Sequence, residues 1–332
     1  MTASAFDSAD APAILTENLT IPGDTEGISL HLRRKRPAGI GRFPEERTVL
    51  LMHGATFSSA SLFDVDFPGL SFMDTLATAG YDTWALDVRG YGGSSRPPEM
   101  DAPPEGVAPL VRTETAVRDL DSAVAHVLKS SGLSRLNLIG MSWGGTVTAA
   151  WTAGHNDRIA KLALIAPQWL AEGPVRIDAG GALGAWRRVD VRAFLKRWLD
   201  AAPEDRRDDL IPEGWFDAWA NTTLATDPGA GGAGIIRAPG GAVLDVREYW
   251  TAGRPVYDPG AIRVPVLLTH AEWDADVTID RMQALFLRLT GAPYRRWVEI
   301  GEGTHMVILE KNRHQVVDAI LGFLDEATPP AG

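Results

Sequence analysis

Cysteine is absent from the 332 residues, which excludes disulfides, thiol nucleophiles and thiolate metal sites together. Long apolar runs are absent too. No stretch reaches the roughly 20 residues a helix needs to cross a bilayer, so no membrane span is expected. Basic residues are the scarcer sign: 32 Lys and Arg stand against 43 Asp and Glu, a net charge of −11. Phosphate binding needs the opposite balance, so nucleic acid is not an expected partner. The one basic run, Arg33-Arg34-Lys35-Arg36, ends an alternating Ile28/Leu30/Leu32 pattern and reads as an exposed strand end. The first dozen residues lack a basic start followed by an apolar stretch. No signal peptide is therefore read there, and a cytoplasmic location is the expectation.

What is present is a globular composition, 45% hydrophobic and 23% charged. From residue 48 the chain alternates strand-like and helix-like segments. Strands are read at 48–52, 83–88, 136–141 and 161–166, with helices at 67–80, 113–130 and 143–154. The rhythm resumes with a strand at 264–269, a helix at 279–290, a strand at 295–300 and a helix at 307–324. The strands are continuous apolar runs, which predicts burial on both faces of a parallel sheet. Residues 14–21 and 27–32 predict a leading antiparallel pair.

Between 168 and 258 the alternation breaks. That stretch holds six of the 11 tryptophans and is helical where it is periodic, at 191–199 and 215–220. We read residues 1–167 and 259–332 as an α/β core and 168–258 as an inserted, mainly helical cap. Trp169, Trp186, Trp215 and Trp219 are candidates to line a pocket; filling a larger core is the alternative. Arg187, Arg188, Arg192, Arg197 and Arg247 could meet an anionic substrate, but solvated helix faces are the expectation. Gly229, Gly231 and Gly234 match G-x-G-x-x-G. They lack the preceding strand and following helix that a dinucleotide site requires, so a loop is expected.

The pentapeptide Gly140-Met141-Ser142-Trp143-Gly144 lies between a strand and a helix, the setting of a strained nucleophile elbow. A serine hydroxyl needs a base, and the base an orienting acid. Functional groups of parallel α/β sheets follow the strands. Asp274 follows the strand at 264–269, and His305 follows the one at 295–300. The order Ser142, Asp274, His305 suits a nucleophile elbow. Asp276 and Glu272 are the rivals for the acid; His270, His155 and His314 are the rivals for the base. Oxyanion donors are expected at the amide of Trp143 and, after the strand at 48–52, at that of Ala55.

The His53-Gly54 step, Asp87-Val88-Arg89-Gly90-Tyr91-Gly92-Gly93-Ser94, the Ser142 elbow, Asp274 and Gly303-Thr304-His305 occur in one register. Together they resemble the α/β-hydrolase fold superfamily over most of residues 25–325, the cap excepted. The resemblance implies a mostly parallel central sheet with helices on both faces. It also implies structural roles for Asp87 and Arg89. Epoxide hydrolases and haloalkane dehalogenases of that superfamily use an aspartate nucleophile, whereas position 142 is serine. The expected activity is hydrolysis of a carboxylic ester of a small, fairly apolar molecule through an acyl-enzyme. C–C, amide or lactone hydrolysis and acyl transfer are the alternatives with the same groups. A non-catalytic ligand-binding module is a further one. The chemistry calls for no metal and no organic cofactor.

Overall fold

The computed structural model describes residues 13–67, 71–232 and 234–327. Its centre is an eight-stranded sheet. In chain order the strands of the first half are β1 (Ile14–Pro22), β2 (Ser29–Pro37), β3 (Thr48–Met52), β4 (Asp82–Asp87), β5 (Leu136–Met141) and β6 (Ile159–Ile165). A separate two-stranded sheet pairs β7 (Trp186–Asp190) with β8 (Ile235–Pro239), and β9 (Val266–Ala271) and β10 (Arg295–Ile300) complete the large one. Across it the order is β1-β2-β4-β3-β5-β6-β9-β10. The β1–β2 and β2–β4 pairs are antiparallel and the rest are parallel. The leading antiparallel pair and the parallel core read from sequence are both present.

The helices are α1 (Ser59–Phe63), α2 (Phe72–Thr78), α3 (Thr113–Ser131), α4 (Trp143–Gly154), α5 (Phe194–Leu199), α6 (Trp215–Ala225), α7 (Gly241–Asp245), α8 (Ile279–Arg288) and α9 (Arg313–Asp325). Successive strand residues point to opposite faces, and the core divides accordingly. Leu50, Met52, Leu138, Leu164 and Leu268 pack with Leu120, Val124, Val147 and Met282 of α3, α4 and α8. Val49, Leu51, Ile139, Ala163 and Leu267 pack with Phe63, Leu76, Val316 and Ile320 of α1, α2 and α9. Burial on both faces is why these strands read as unbroken apolar runs. Among the described residues no helix is long and apolar enough to cross a membrane.

Three expectations need correction. First, the basic run is not a solvated strand end, because β2 continues through it to Pro37. Arg34 grips buried Asp82 with two hydrogen bonds of 2.7 and 2.9 Å and also meets Glu17. Lys35 is buried on Asp64 and Asp74, Arg33 pairs with Asp64, and Arg36 pairs with Glu17. Second, the last helix does not begin at 307. Val307, Ile308 and Leu309 are all buried and form a 3₁₀ turn before α9. Third, the helix expected at 67–80 begins at Phe72, behind a capping box in which Ser71 and Asp74 bond each other's amides. Positions 68–70 of that expectation, and the dozen leading residues read for a signal, lie outside the described residues.

Residues 168–258 carry α5, α6, α7, a π turn at Val246–Trp250 and the β7–β8 pair. That pair escaped the sequence because β7, Trp-Arg-Arg-Val-Asp, lacks apolar alternation and its partner lies far along the chain. The glycine-rich stretch is preceded by α6 and followed by β8, the reverse of a dinucleotide-binding turn.

Asp82 is almost fully buried, so removing its cation leaves an uncompensated carboxylate. Arg34→Met is expected to lower stability by about 3 kcal/mol, read from urea unfolding midpoints. A change within about 0.5 kcal/mol, the usual range for surface substitutions, would contradict the pairing.

Candidate active site

Ser142 sits in the turn between β5 and α4 with φ +57° and ψ −122°, a conformation that costs a non-glycine residue about 1–3 kcal/mol. The surroundings hold it there. The Ser142 amide donates to Ile165 O of β6 at 2.8 Å, and its carbonyl accepts from Gly145 and Gln168. Glycine is required at 144, because a Cβ there would strike the backbone carbonyl oxygens of Met52 and His53. At 140 a Cβ would meet the Thr148 hydroxyl and the Gly144 backbone. The start of α4 therefore approaches the end of β3 and its own strand β5 more closely than any side chain permits.

Three side chains from the carboxyl ends of β5, β9 and β10 meet. His305 Nε2 lies 2.9 Å from Ser142 Oγ, and His305 Nδ1 lies 2.7 Å from Asp274 Oδ2. Since a carboxylate can only accept, Nδ1 carries the proton and Nε2 is free to accept from the serine hydroxyl. The other carboxylate oxygen of Asp274 accepts the amides of Asp276 and Val277 at 2.9 and 2.8 Å, so the acid cannot turn away. Burial would depress the imidazole, but the charges of Asp274 and Asp276 and the Asp274 hydrogen bond outweigh it, against an opposing push from Arg197. The His305 pKa stands above the ordinary histidine value. This geometry can take the proton of Ser142 and shelter the resulting cation.

The rivals are engaged with other partners. Glu272 accepts the Glu302 amide, and Asp276 pairs with Arg197 and Arg176. His270 spans Glu299 and the Val277 carbonyl, and His155 bonds Trp151 O. His314 is on α9, beyond the loop.

The loop after β3 runs alongside the serine: a Cβ on Gly54 would stand 3.4 Å from Ser142 Cβ and 3.8 Å from its Oγ. His53 is buried, with Val88 N donating to Nε2 at 3.1 Å and Nδ1 bonded to Gly54 O at 2.7 Å. It braces two backbone segments, and burial holds its pKa below the ordinary value. Ala55 lines the cavity above Ser142; its carbonyl accepts from the Tyr91 hydroxyl and from Arg187, each at 2.8 Å. Trp143 opens α4, where the first amides have no intrahelical acceptor, while its indole is buried against Thr113 Oγ1. Beneath the site Asp87 binds Ser59, His31 and the Gly93 amide, and Arg89 is locked to Asp119 and Asp24.

Ser142 and His305 open into a cavity of about 550 Å³, within the range for small-molecule sites. Of the four candidate tryptophans, Trp186 lines it. Trp169, Trp215 and Trp219 are spent in packing, against Tyr257, Phe67 and the Phe57–Phe194–Trp198–Phe216 cluster respectively. Phe194 and Trp198, not singled out from sequence, do line the cavity. Arg188 and Arg192 are exposed, as expected, whereas Arg187, Arg197 and Arg247 are partly buried. Arg247 holds Asp178, Arg192 meets Asp217, Arg197 meets Asp276, and Arg187 and Arg188 lie on a strand rather than a helix. Glu310 was also missed. It is buried behind the His305 loop, accepting from Thr304 and the Trp198 indole, and burial pushes its carboxyl up to about 7.

A family model described as the alpha/beta hydrolase fold matches residues 47–225. Lipase 1 of Drosophila melanogaster is 30% identical over 145 residues, covering 43% of this chain and 31% of the relative. Epoxide hydrolase A of Mycobacterium tuberculosis is 31% identical over 149 residues, covering 43% and 36%. The matched stretch is thus about a third of either relative's length. Among solved structures, a 2-hydroxy-6-oxo-6-phenylhexa-2,4-dienoate hydrolase from Rhodococcus sp. strain RHA1 superposes with a TM-score of 0.61 at 16% identity, covering 95% of this chain and 100% of the other. The model match spans more than half of the chain, and with the eight-stranded sheet and its flanking helices it shows that the chain belongs to the alpha/beta hydrolase fold family.

Proposed function

We propose that the protein is a serine hydrolase that cleaves a carboxylic ester. The observation that carries this reading is the relay of 2.9 Å from Ser142 Oγ to His305 Nε2 and 2.7 Å from His305 Nδ1 to Asp274. His305 removes the serine proton as Oγ attacks the ester carbonyl. Asp274 fixes the tautomer and balances the imidazolium. The amides of Ala55 and Trp143 take the oxyanion, and the protonated histidine gives its proton to the departing alcohol. Water, deprotonated by the same ring, then releases the acid. Residues 168–258 act as the cap, supplying Trp186, Phe194 and Trp198 to the cavity wall.

The matches to epoxide hydrolases do not redirect the chemistry. Opening an epoxide in this superfamily relies on a nucleophilic aspartate, and residue 142 is serine. A hydroxyl activated by histidine suits acyl transfer to water.

A fluorophosphonate should label Ser142, located by peptide mapping. Ser142→Ala should lower kcat/KM for p-nitrophenyl butyrate by about 10⁴-fold or more, given the roughly 10⁶-fold losses when a triad loses its nucleophile. A loss below about tenfold would remove the serine from the chemistry, since the triad alone accounts for far more.

The pH profile follows from the His305 environment. The base must be neutral to act, and its pKa is raised. The acid limb of kcat/KM should therefore lie above the ordinary histidine value of about 6.5. Asp276→Asn removes a negative charge facing the ring and strips Arg197 of its partner. Both changes disfavour the imidazolium, so the limb should move to lower pH. An unmoved limb would mean that the 276 carboxylate does not act on the ring.

A further inference from the structure

Four arginines line the cavity, at 176, 187, 188 and 197. Arg176 and Arg197 share Asp276, and Arg188 is exposed. Arg187 differs from all three. It projects from β7 and is partly buried, and its Nη2 donates to Ala55 O at 2.8 Å and to Thr56 Oγ1 at 3.3 Å. Both acceptors are neutral. Its Nε is buried without a hydrogen-bond partner, and among the described residues no carboxylate lies within ion-pair reach of it. Burial pulls its pKa below the ordinary arginine value, and Arg197 adds to that pull.

A guanidinium is a planar fork of five donors that matches a carboxylate edge on. Here part of the fork is spent on neutral oxygens and the charge is left without a counterion in a small-molecule cavity. Removing a cation from water without compensating it is unfavourable; of the carboxylates that line the wall, Asp276 already serves two arginines, and neither Glu105 nor Asp190 lies within ion-pair reach of Arg187. We propose that Arg187 receives an ionised carboxylate on the substrate, so that the molecule cleaved is the ester of a compound bearing a second, free acid group. This rests on the reading of Ser142 as the nucleophile. The contact with Ala55 sets the anion close to the reacting carbonyl, since the Ala55 amide is the proposed oxyanion donor. A different role for Arg187, bracing the Ala55 carbonyl beside Tyr91, would serve charged and neutral esters alike.

The test uses two matched pairs followed by pH-stat: monomethyl adipate against methyl hexanoate, with the charge on the acyl side, and acetoxyhexanoate against hexyl acetate, with the charge on the alcohol side. In one pair the wild-type kcat/KM should favour the anion by about tenfold or more, the scale of a charged hydrogen-bonded contact. Arg187→Gln should cut that ratio about tenfold, and Arg187→Lys, which keeps the charge, should restore part of it. No preference for the anion in either pair overturns the proposal on wild-type protein alone, whatever the variants' stability. Equal loss on both members of a pair in Arg187→Gln also overturns it and assigns the bracing role. Turnover without charge preference refutes this inference only. Absence of fluorophosphonate labelling and of turnover on every ester refutes the hydrolase reading, and this one with it.

Discussion

The site depends on one close approach of backbone to backbone. Gly144 at the start of α4 lies against the carbonyls of Met52 and His53 at the end of β3, and no other residue allows it. The approach follows from the sheet register, in which Met52 pairs with Gly140 on the neighbouring parallel strand. It has two consequences. The chain must reverse from β5 into α4 within one residue, which forces Ser142 to a positive φ and lifts its hydroxyl out of the sheet. The same crowding brings the Gly54–Ala55 loop beside that hydroxyl, so the serine and this loop are set by a single contact. The strain at 142, of about 1–3 kcal/mol, is small against the buried apolar surface of β3, β5, α3 and α4 that holds it.

Charge is arranged around this corner in two ways. Beneath the sheet end, ionic groups are fully matched: Asp87 accepts four hydrogen bonds, and Arg89 has two carboxylates. These groups fix loops and have no capacity left for a reacting molecule. Around the cavity the matching is incomplete. His305 faces two carboxylates, Asp276 faces two arginines, and among the described residues Arg187 has no carboxylate within ion-pair reach. For His305 the attraction exceeds the penalty of burial, so the ring's pKa rises. For Arg187 burial prevails and the pKa falls. The difference lies in the partners, since both side chains are partly buried. Structural ion pairs and cavity cations are thus told apart by what remains unpaired.

Much of the core was legible from the sequence because its signals are local. Thr48–Met52, Leu136–Met141 and Arg295–Ile300 are strands with the bounds read from sequence, and Trp143–Gly154 is a helix with the bounds expected. Ser142, Asp274 and His305 were nameable because each follows a strand. Residues 168–258 were less legible. The strand Trp186–Asp190 carries charged residues on both sides and pairs with a segment reached only after two helices. The arginine run in β2 misled for a related reason: Asp82, Asp64 and Asp74, which neutralise it, are brought alongside only by folding. Charge partners distant in the chain leave no periodic trace. Trp215 and Trp219 were flagged by residue type, yet type does not distinguish a side chain that packs from one that faces a cavity.

Glu310 shows how residues 168–258 bear on the candidate site without touching it. Three donors converge on its carboxylate: the Thr304 amide at 2.9 Å on one oxygen, and the Thr304 hydroxyl and the Trp198 indole on the other. An amide side chain could not substitute cleanly, because its NH₂ group would face a donor in either orientation. The position therefore demands an acceptor at both atoms, which is the reason for an acid in a site whose burial drives its pKa up to about 7. Thr304 precedes His305, and Trp198 lies on α5 in the wall of the cavity. The histidine loop is thus clamped from behind by the same residue that anchors the Phe194–Trp198–Phe216–Trp219 aromatic cluster. A displacement of α5 would be felt at the imidazole through one buried side chain, so the cavity wall and the position of the His305 ring cannot be varied independently.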